Sequence, residues 1–302
     1  MERAVITGAT GAIGTALIKE LIKNNTEVLV FCRQGSQRTG NIPVSPLVAV
    51  KYTSLDGLDA VQNDTGKNWD VFYHFAWAGT TGTARNDMQL QNLNVRYALD
   101  AVGAAKRFGC HTFIGAGSQA EYGRAEGKLR PDTPAFPENG YGMAKLCAGQ
   151  MTRVEAHKYG LKHIWTRILS IYGENDGKNS MVMSLIAKLK NGETPQTTAG
   201  EQMWDYLYGG DAGRAFALLG DKGIDGKTYV IGSGNARPLK EYIYEIKNQT
   251  APDGKINVGA VPYADKQVMY LCADITELQK DCGWTPKTEF EDGIKNILDN
   301  WE

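Results

Sequence analysis

Thr7-Gly8-Ala9-Thr10-Gly11-Ala12-Ile13-Gly14 stands directly after the apolar run Ala4-Val5-Ile6, almost at the start of the 302-residue sequence. The run reads as a buried strand, and from Ile13 onward the apolar residues Ile13, Leu17, Leu21 and Ile22 fall on one helix face. The glycine stretch between them is therefore a strand-to-helix turn. In such a turn Gly8 permits the sharp bend, Gly11 lets the backbone approach a pyrophosphate, and Gly14 lets the helix lie close on the strand. The phosphate charge then faces the helix N-terminus. The expectation is a dinucleotide site whose turn contacts are Gly8, Thr10, Gly11, Ala12 and Ile13. A glycine-rich turn with no ligand is the competing reading, and the agreement of strand, helix and position favours the site.

Outward from the turn, Glu27-Val28-Leu29-Val30-Phe31-Cys32 reads as a second strand and Val48-Ala49-Val50 as a short third, the β-α-β rhythm of a parallel sheet. After the second strand of a dinucleotide site an acidic residue binds the ribose hydroxyls, whereas an Arg accommodates the extra phosphate of NADP. Arg33 stands at that point, Arg38 follows, and no Asp or Glu occurs between Glu27 and Asp56. The cofactor expected is NADP. NAD is the alternative, with both arginines as solvated loop charges.

Asp70-Val71-Phe72-Tyr73-His74-Phe75-Ala76-Trp77-Ala78-Gly79 reads as a fourth strand and its exit loop, in which His74 between apolar neighbours is a core histidine. A long helix from Asp87 to Phe108 carries Asn94. Cys110 to Ala116 reads as a fifth strand, followed by Gly117-Ser118-Gln119-Ala120-Glu121-Tyr122-Gly123 and then by Asn139-Gly140-Tyr141-Gly142-Met143-Ala144-Lys145. Tyr141 and Lys145, four apart, share a helix face. An ammonium that close favours phenolate, drawing a phenol down from about 10 so that it exchanges protons near neutral pH.

The Thr-Gly-x-x-Gly-x-x-Gly turn, the Asp70 to Ala76 stretch, Asn94-Val95, Ser118 four residues before Tyr122-Gly123, and Tyr141-x-x-x-Lys145 occur in this order. Together they resemble the extended short-chain dehydrogenase/reductase superfamily, in its NAD(P)-dependent epimerase/dehydratase family, closest in type to nucleotide-sugar 4-ketoreductases. The likeness continues through Tyr172-Gly173, the Gln202 to Ala212 stretch with Asp205 and Asp211, Tyr229 to Gly234, and Gly283-Trp284-Thr285-Pro286. It implies an α/β fold with a Rossmann-type doubly wound parallel sheet over 1–172, to which 203–235 return, and a smaller substrate unit of 173–202 and 236–302. Ser118, Tyr141 and Lys145 are the catalytic residues so implied, with Asn94 in support. Arg33, Arg38, Leu55 and Ala76 join the turn, Tyr141 and Lys145 as cofactor contacts, and Trp77, Gln119, Asn175 and Trp204 are candidate substrate contacts.

The resemblance implies a nucleoside diphosphate sugar as substrate. Dehydratases of this type carry an Asp-Glu pair directly after the catalytic Ser or Thr; here Gln119-Ala120 stands there, and neither side chain shuttles a proton. The function expected is NADPH-dependent reduction of a 4-keto-6-deoxy sugar nucleotide. The alternatives are an epimerase with tightly bound NAD and a non-catalytic nucleotide-binding sensor on the same fold.

The totals agree with a small-molecule enzyme. Lys plus Arg number 33 against 34 Asp plus Glu, a formal net charge of −1, so no nucleic-acid partner is expected. Met1-Glu2-Arg3 runs straight into the first strand and no apolar run reaches membrane-spanning length, so a cytoplasmic protein with no membrane partner is expected. Five scattered cysteines without paired spacing read as free thiols, with no metal site. By resemblance, the helices near 85–108 and 141–159 would join two copies as a homodimer.

Overall fold

Apolar runs flanked by amphipathic helices have one stable arrangement here, a sheet covered on both faces. In the computed structural model, which describes residues 1–301, the chain runs β1 (Arg3–Thr7), α1 (Ala12–Lys23), β2 (Glu27–Cys32), β3 (Val48–Tyr52), β4 (Val71–His74), α2 (Met88–Arg107), β5 (Thr112–Ser118), α3 (Gly140–Lys158) and β6 (Lys162–Ile168). It continues through β7 (Ser170–Tyr172), α4 (Met181–Lys190), β8 (Gln196–Thr197), β9 (Met203–Trp204), β10 (Tyr206–Tyr208), α5 (Gly209–Lys222) and β11 (Thr228–Ile231). It closes with β12 (Arg237–Pro238), α6 (Leu239–Thr250), β13 (Asn257–Val258), α7 (Thr276–Cys282) and α8 (Phe290–Asp299). Seven parallel strands form one sheet in the order β11-β6-β5-β4-β1-β2-β3. This is the doubly wound α/β sheet read from the sequence.

Alternate residues of each strand feed opposite faces. Ala4 and Ile6 of β1 pack with Leu17 and Leu21 of α1 and Phe216 of α5 on one face. Val5 packs with Phe72, Phe113, Val102 and Phe108 under α2 on the other. These two cores hold the strand ends that carry the site.

β5 lies differently from its expected bounds. β5 begins at Thr112, because Cys110 N–H still closes α2 on the Ala105 carbonyl and the amides of His111 and Thr112 both donate to the Asp70 carbonyl; the strand therefore ends on Ser118 itself. The run from His163 to Gly173 breaks at Leu169, whose amide donates to the Ile231 carbonyl, after which β7 leaves the main sheet to pair with β10.

A third core joins Tyr172 to Leu185, Ile186, Tyr242, Ile243, Phe290 and Ile294 across α4, α6 and α8. Leu278, Cys282 and Trp284, assigned from the sequence to this second unit, instead pack into the core around β1 and α5, where the Trp284 indole N–H donates to the Asp211 carbonyl. Among the described residues no helix is long and apolar enough to cross a membrane.

Candidate active site

The glycine turn sits where β1 meets the exit loop of β4. Gly8 adopts φ +72°, and a Cβ there would lie 2.6 Å from the Ala76 amide nitrogen; at Gly14 one would lie 2.5 Å from the Gly8 carbonyl oxygen. Gly8 and Gly14 thus close the turn against Ala76 and against itself. At Gly11 a Cβ would meet only the Gly8 carbonyl, at 3.7 Å. The space above Gly11 is open, and no side chain caps the first amides of α1. An uncapped helix N-terminus facing open space fits a dinucleotide pyrophosphate. Asn41, which sequence reading missed, donates from Nδ2 to the Thr10 carbonyl at 3.1 Å and steadies the turn from the β2–β3 connection.

The other cofactor candidates are spread around this turn. Arg33 is exposed at the end of β2, and Arg38, also exposed, donates to the Asn175 carbonyl. Leu55 packs against the core under α2. Asn175, read as a substrate contact, has φ +64° and its Nδ2 lies 3.5 Å from Thr15 Oγ1 of α1. Its bonds therefore run to the nucleotide side, to α1 and Arg38. His74 is the core histidine expected: Nδ1 lies 2.9 Å from Thr7 Oγ1, and burial drops it to about 3, so the ring is neutral; its Nε2 has no partner among the described residues.

At the other end of the strand tips, α2 presents two buried amides to the exit loop. Asn94 accepts from the Ala78 amide at 3.0 Å and donates to the Ala78 carbonyl at 2.9 Å, so both ends of its side chain are used in holding the loop. Gln91 accepts the Trp77 indole N–H at 2.9 Å and donates to the carbonyls of Gly79 and Ala84. Trp77 is thereby held perpendicular to Tyr141, ring centroids 6.3 Å apart.

Tyr141 comes from the first turn of α3, capped by Asn139, whose Oδ1 accepts the Gly142 amide at 2.9 Å. A Cβ at Gly142 would overlap the Ala120 carbonyl, and one at Gly140 would lie 3.0 Å from the Arg85 carbonyl. The two glycines beside Tyr141 let the helix start press between the Gln119–Glu121 turn and the Gly82–Asn86 turn. This seats the Tyr141 ring beside the turn that follows Ser118. Burial pushes the Tyr141 phenol up, while the Ser118 hydrogen bond and then the Arg85 charge pull it down and the Glu121 charge pushes it up.

Lys145 departs from expectation. Its ammonium donates to the Ala116 carbonyl at 2.5 Å and lies 3.8 Å over the Trp77 ring, but 5.8 Å from the Tyr141 ring centroid. The depression of Tyr141 read from the i,i+4 spacing does not come from Lys145. Burial lowers Lys145 itself to about 7. A lysine lowered in the fold is charged in the unfolded chain between that value and about 10, so the unfolded state binds more protons there and stability climbs as pH rises. Lys145→Met removes this slope: its melting temperature, relative to the parent, is highest below pH 7 and the difference falls as pH approaches 10, measured by thermal melts across pH.

Behind Ser118 lies a buried charge pair that sequence reading passed over. Glu121 is fully buried; its carboxylate accepts the Ser118 amide at 2.8 Å, the Trp165 indole N–H at 3.0 Å and Arg167 Nε at 2.8 Å. Ser118 Oγ in turn accepts the Ala120 amide at 3.2 Å. Ser-x-x-Glu is a capping-box pattern, and that was its legible signal. Trp165 fits only because Gly115, Gly117 and Gly149 leave its indole room: a Cβ on any of the three would strike it.

Gln119 is half-buried at the head of the same turn. Trp204 donates from its indole N–H to Ser170 Oγ at 2.8 Å. Asp205 and Asp211 are struts. Asp205 accepts Ser233 N–H and O–H, Gly234 N–H and Ala273 N–H. Asp211 accepts the amides of Lys287 and Thr288.

Comparison with known proteins follows the same outline. The chain is 24% identical over 309 residues to a CDP-abequose synthase of Salmonella muenchen, covering 98% of this chain and 97% of that protein. The fold matches the UDP-glucose 4-epimerase of Thermotoga maritima solved with UDP-glucose, with TM-score 0.86 at 21% identity over 99% of this chain and all of that one. It also matches the UDP-glucuronic acid 4-epimerase of Bacillus cereus solved with UDP-glucuronic acid and NAD, with TM-score 0.85 at 20% identity over 98% of each. Residues 4–232, from the first strand to the end of β11, match the model of one family throughout, and the chain belongs to the NAD dependent epimerase/dehydratase family.

Proposed function

We propose that the chain reduces a 4-keto-6-deoxy sugar nucleotide with NADPH. The observation that carries this reading is the turn after Ser118. Gln119 and Ala120 offer no proton-shuttling group, and the next acid, Glu121, is buried against Arg167. Elimination of water needs such an acid and base, so hydride and proton delivery is the chemistry that the remaining groups serve. The match to a CDP-abequose synthase over nearly the whole chain supports a nucleotide sugar as substrate.

Reduction adds a hydride at the keto carbon and a proton at its oxygen. The reduced nicotinamide, when bound, supplies the hydride. Ser118 Oγ–H holds the keto oxygen, Tyr141 Oη gives the proton, and the phenolate left behind recovers one from solvent. Lys145, next to Tyr141 on α3, would hold the ribose hydroxyls, and the first amides of α1 the pyrophosphate. Arg33 and Arg38, with no acid between Glu27 and Asp56, favour the phosphorylated ribose of NADP.

A second reading, an epimerase with NAD retained, is favoured by the fold's likeness to 4-epimerases. Releasing the cofactor by denaturation and comparing NADPH with NADH binding separates the two. An emptied site that prefers NADPH, with the preference lost in Arg33→Ala/Arg38→Ala, supports the reductase; tightly held NAD overturns it. Leu93 of α2 and Met143, Met151 and Val154 of α3 are exposed apolar residues on adjacent helices, which supports a homodimer through this face. Sedimentation at twice the 33.0 kDa chain mass is the expected result.

A further inference from the structure

The loop after β4 ends in the Gly82–Asn86 turn, and it is pinned at several points. Gln91 donates to the carbonyls of Gly79 and Ala84, Asp87 caps α2 by accepting the Leu90 amide, and Asn86 Oδ1 accepts the Gly140 amide at 3.0 Å. The last bond ties the turn to the start of α3, one residue before Tyr141. Arg85 Nη1 donates to the Thr80 carbonyl at 3.1 Å, which sets the guanidinium over the Tyr141 ring, 4.4 Å from its centroid. The position is built by two elements and by the missing side chain of Gly140. It is not a loose surface charge.

We propose that Arg85 is a positioning residue for Tyr141: its guanidinium supplies the fixed positive charge against which the phenol gives up and takes back its proton. This rests on Tyr141 being the proton donor of the proposed reaction. A cation over an aromatic face is attracted to the ring, and more strongly when the ring carries the charge of a phenolate. The groups facing Tyr141 are few. Ser118 at the end of β5 favours its ionised form, the neutral Trp77 ring stands perpendicular to it from the exit loop, and Glu121 acts from the turn with a charge that opposes ionisation. Lys145, on the same helix, spends its ammonium on Ala116 and Trp77 and is lowered to about 7 by burial, so its charge varies across the working range. A guanidinium keeps its charge throughout. The role that spacing alone would give to Lys145 therefore falls to a residue on another element.

The test places 3,5-difluorotyrosine at position 141, whose more acidic phenol titrates where the fold survives, and follows it by fluorine NMR in the parent, Arg85→Gln and Arg85→Lys proteins. The expected result is an upward displacement of the midpoint on the order of one pH unit in Arg85→Gln and little in Arg85→Lys. A midpoint that stays in place or moves down in Arg85→Gln overturns the proposal, whatever happens to its melting temperature. The readout needs no substrate. Failure of the proposed reaction would show separately, as undiminished turnover in Tyr141→Phe.

Discussion

Tyr141→Phe is expected to lower turnover by roughly 10²–10⁴-fold, the usual worth of a positioned proton donor, with melting temperature and cofactor affinity near the parent's. The phenol oxygen is the one atom removed. The ring keeps its place under Arg85 and against the edge of Trp77, and α3 keeps its Asn139 cap. Ser118 can still hydrogen-bond a carbonyl oxygen, but no neighbour replaces the lost proton: Lys145 is turned to Ala116 and Glu121 is held by Arg167. Steady-state rates with NADPH and 4-keto-6-deoxy sugar nucleotides are the measurement. Turnover equal to the parent's would remove Tyr141 from the chemistry, and undiminished biological function of the variant would favour a nucleotide sensor.

The largest effect on stability is expected at Glu121. Glu121→Ala leaves the buried Arg167 guanidinium without its carboxylate and strands the Ser118 amide and the Trp165 indole N–H. Removing one partner of a buried ion pair typically costs about 3–5 kcal/mol. Arg167 retains only the Pro131 carbonyl and its place over the Tyr122 ring. Urea unfolding should therefore show a much lower midpoint. The paired change Glu121→Leu/Arg167→Met, which deletes both charges, should regain most of the loss, since apolar replacements of a buried pair are often neutral or better. If the single and double variants were equally unstable, the loss would come from packing around Trp165 and not from the uncompensated charge.

The sheet was legible because it is written locally. Each central strand is a short apolar run, and the Gly8–Gly14 spacing fixes which of them opens the nucleotide site. Ser118, Tyr141 and Asn94 were legible as positions, since ordered motifs carry them. What the side chains do there was less so. Four-residue spacing puts Tyr141 and Lys145 on one face, but rotamer and burial decide where an ammonium ends, and an aromatic ring with a free carbonyl beside it captured Lys145. Arg85, Asn41 and the reach of Glu121 to Arg167 act across elements distant in sequence, so no local period announces them, although the Ser118-x-x-Glu121 capping box was itself legible. Asn175 has a left-handed backbone, and its side chain lies near Thr15 of α1. The return of Trp284 to the first core was hidden for the same reason: a loop's destination is set by the apolar hole it fills.

Trp165 and the three glycines that make room for it also set an order in which this site can change. With the indole in place, none of Gly115, Gly117 or Gly149 tolerates even a methyl group, although two of them lie on β5 and one on α3. At Gly115 and Gly149 a smaller residue at 165 must come first, and it would take one donor from the carboxylate behind Ser118; at Gly117 the Glu121 carboxylate and the Thr166 carbonyl stand in the way as well. Ancestry can thus pass through these positions in one direction more easily than the other. A lineage that acquires the tryptophan becomes confined to glycine at three further sites. Transplanting the Ser118 loop into a relative with a smaller residue at 165 should fail unless all of these positions travel together.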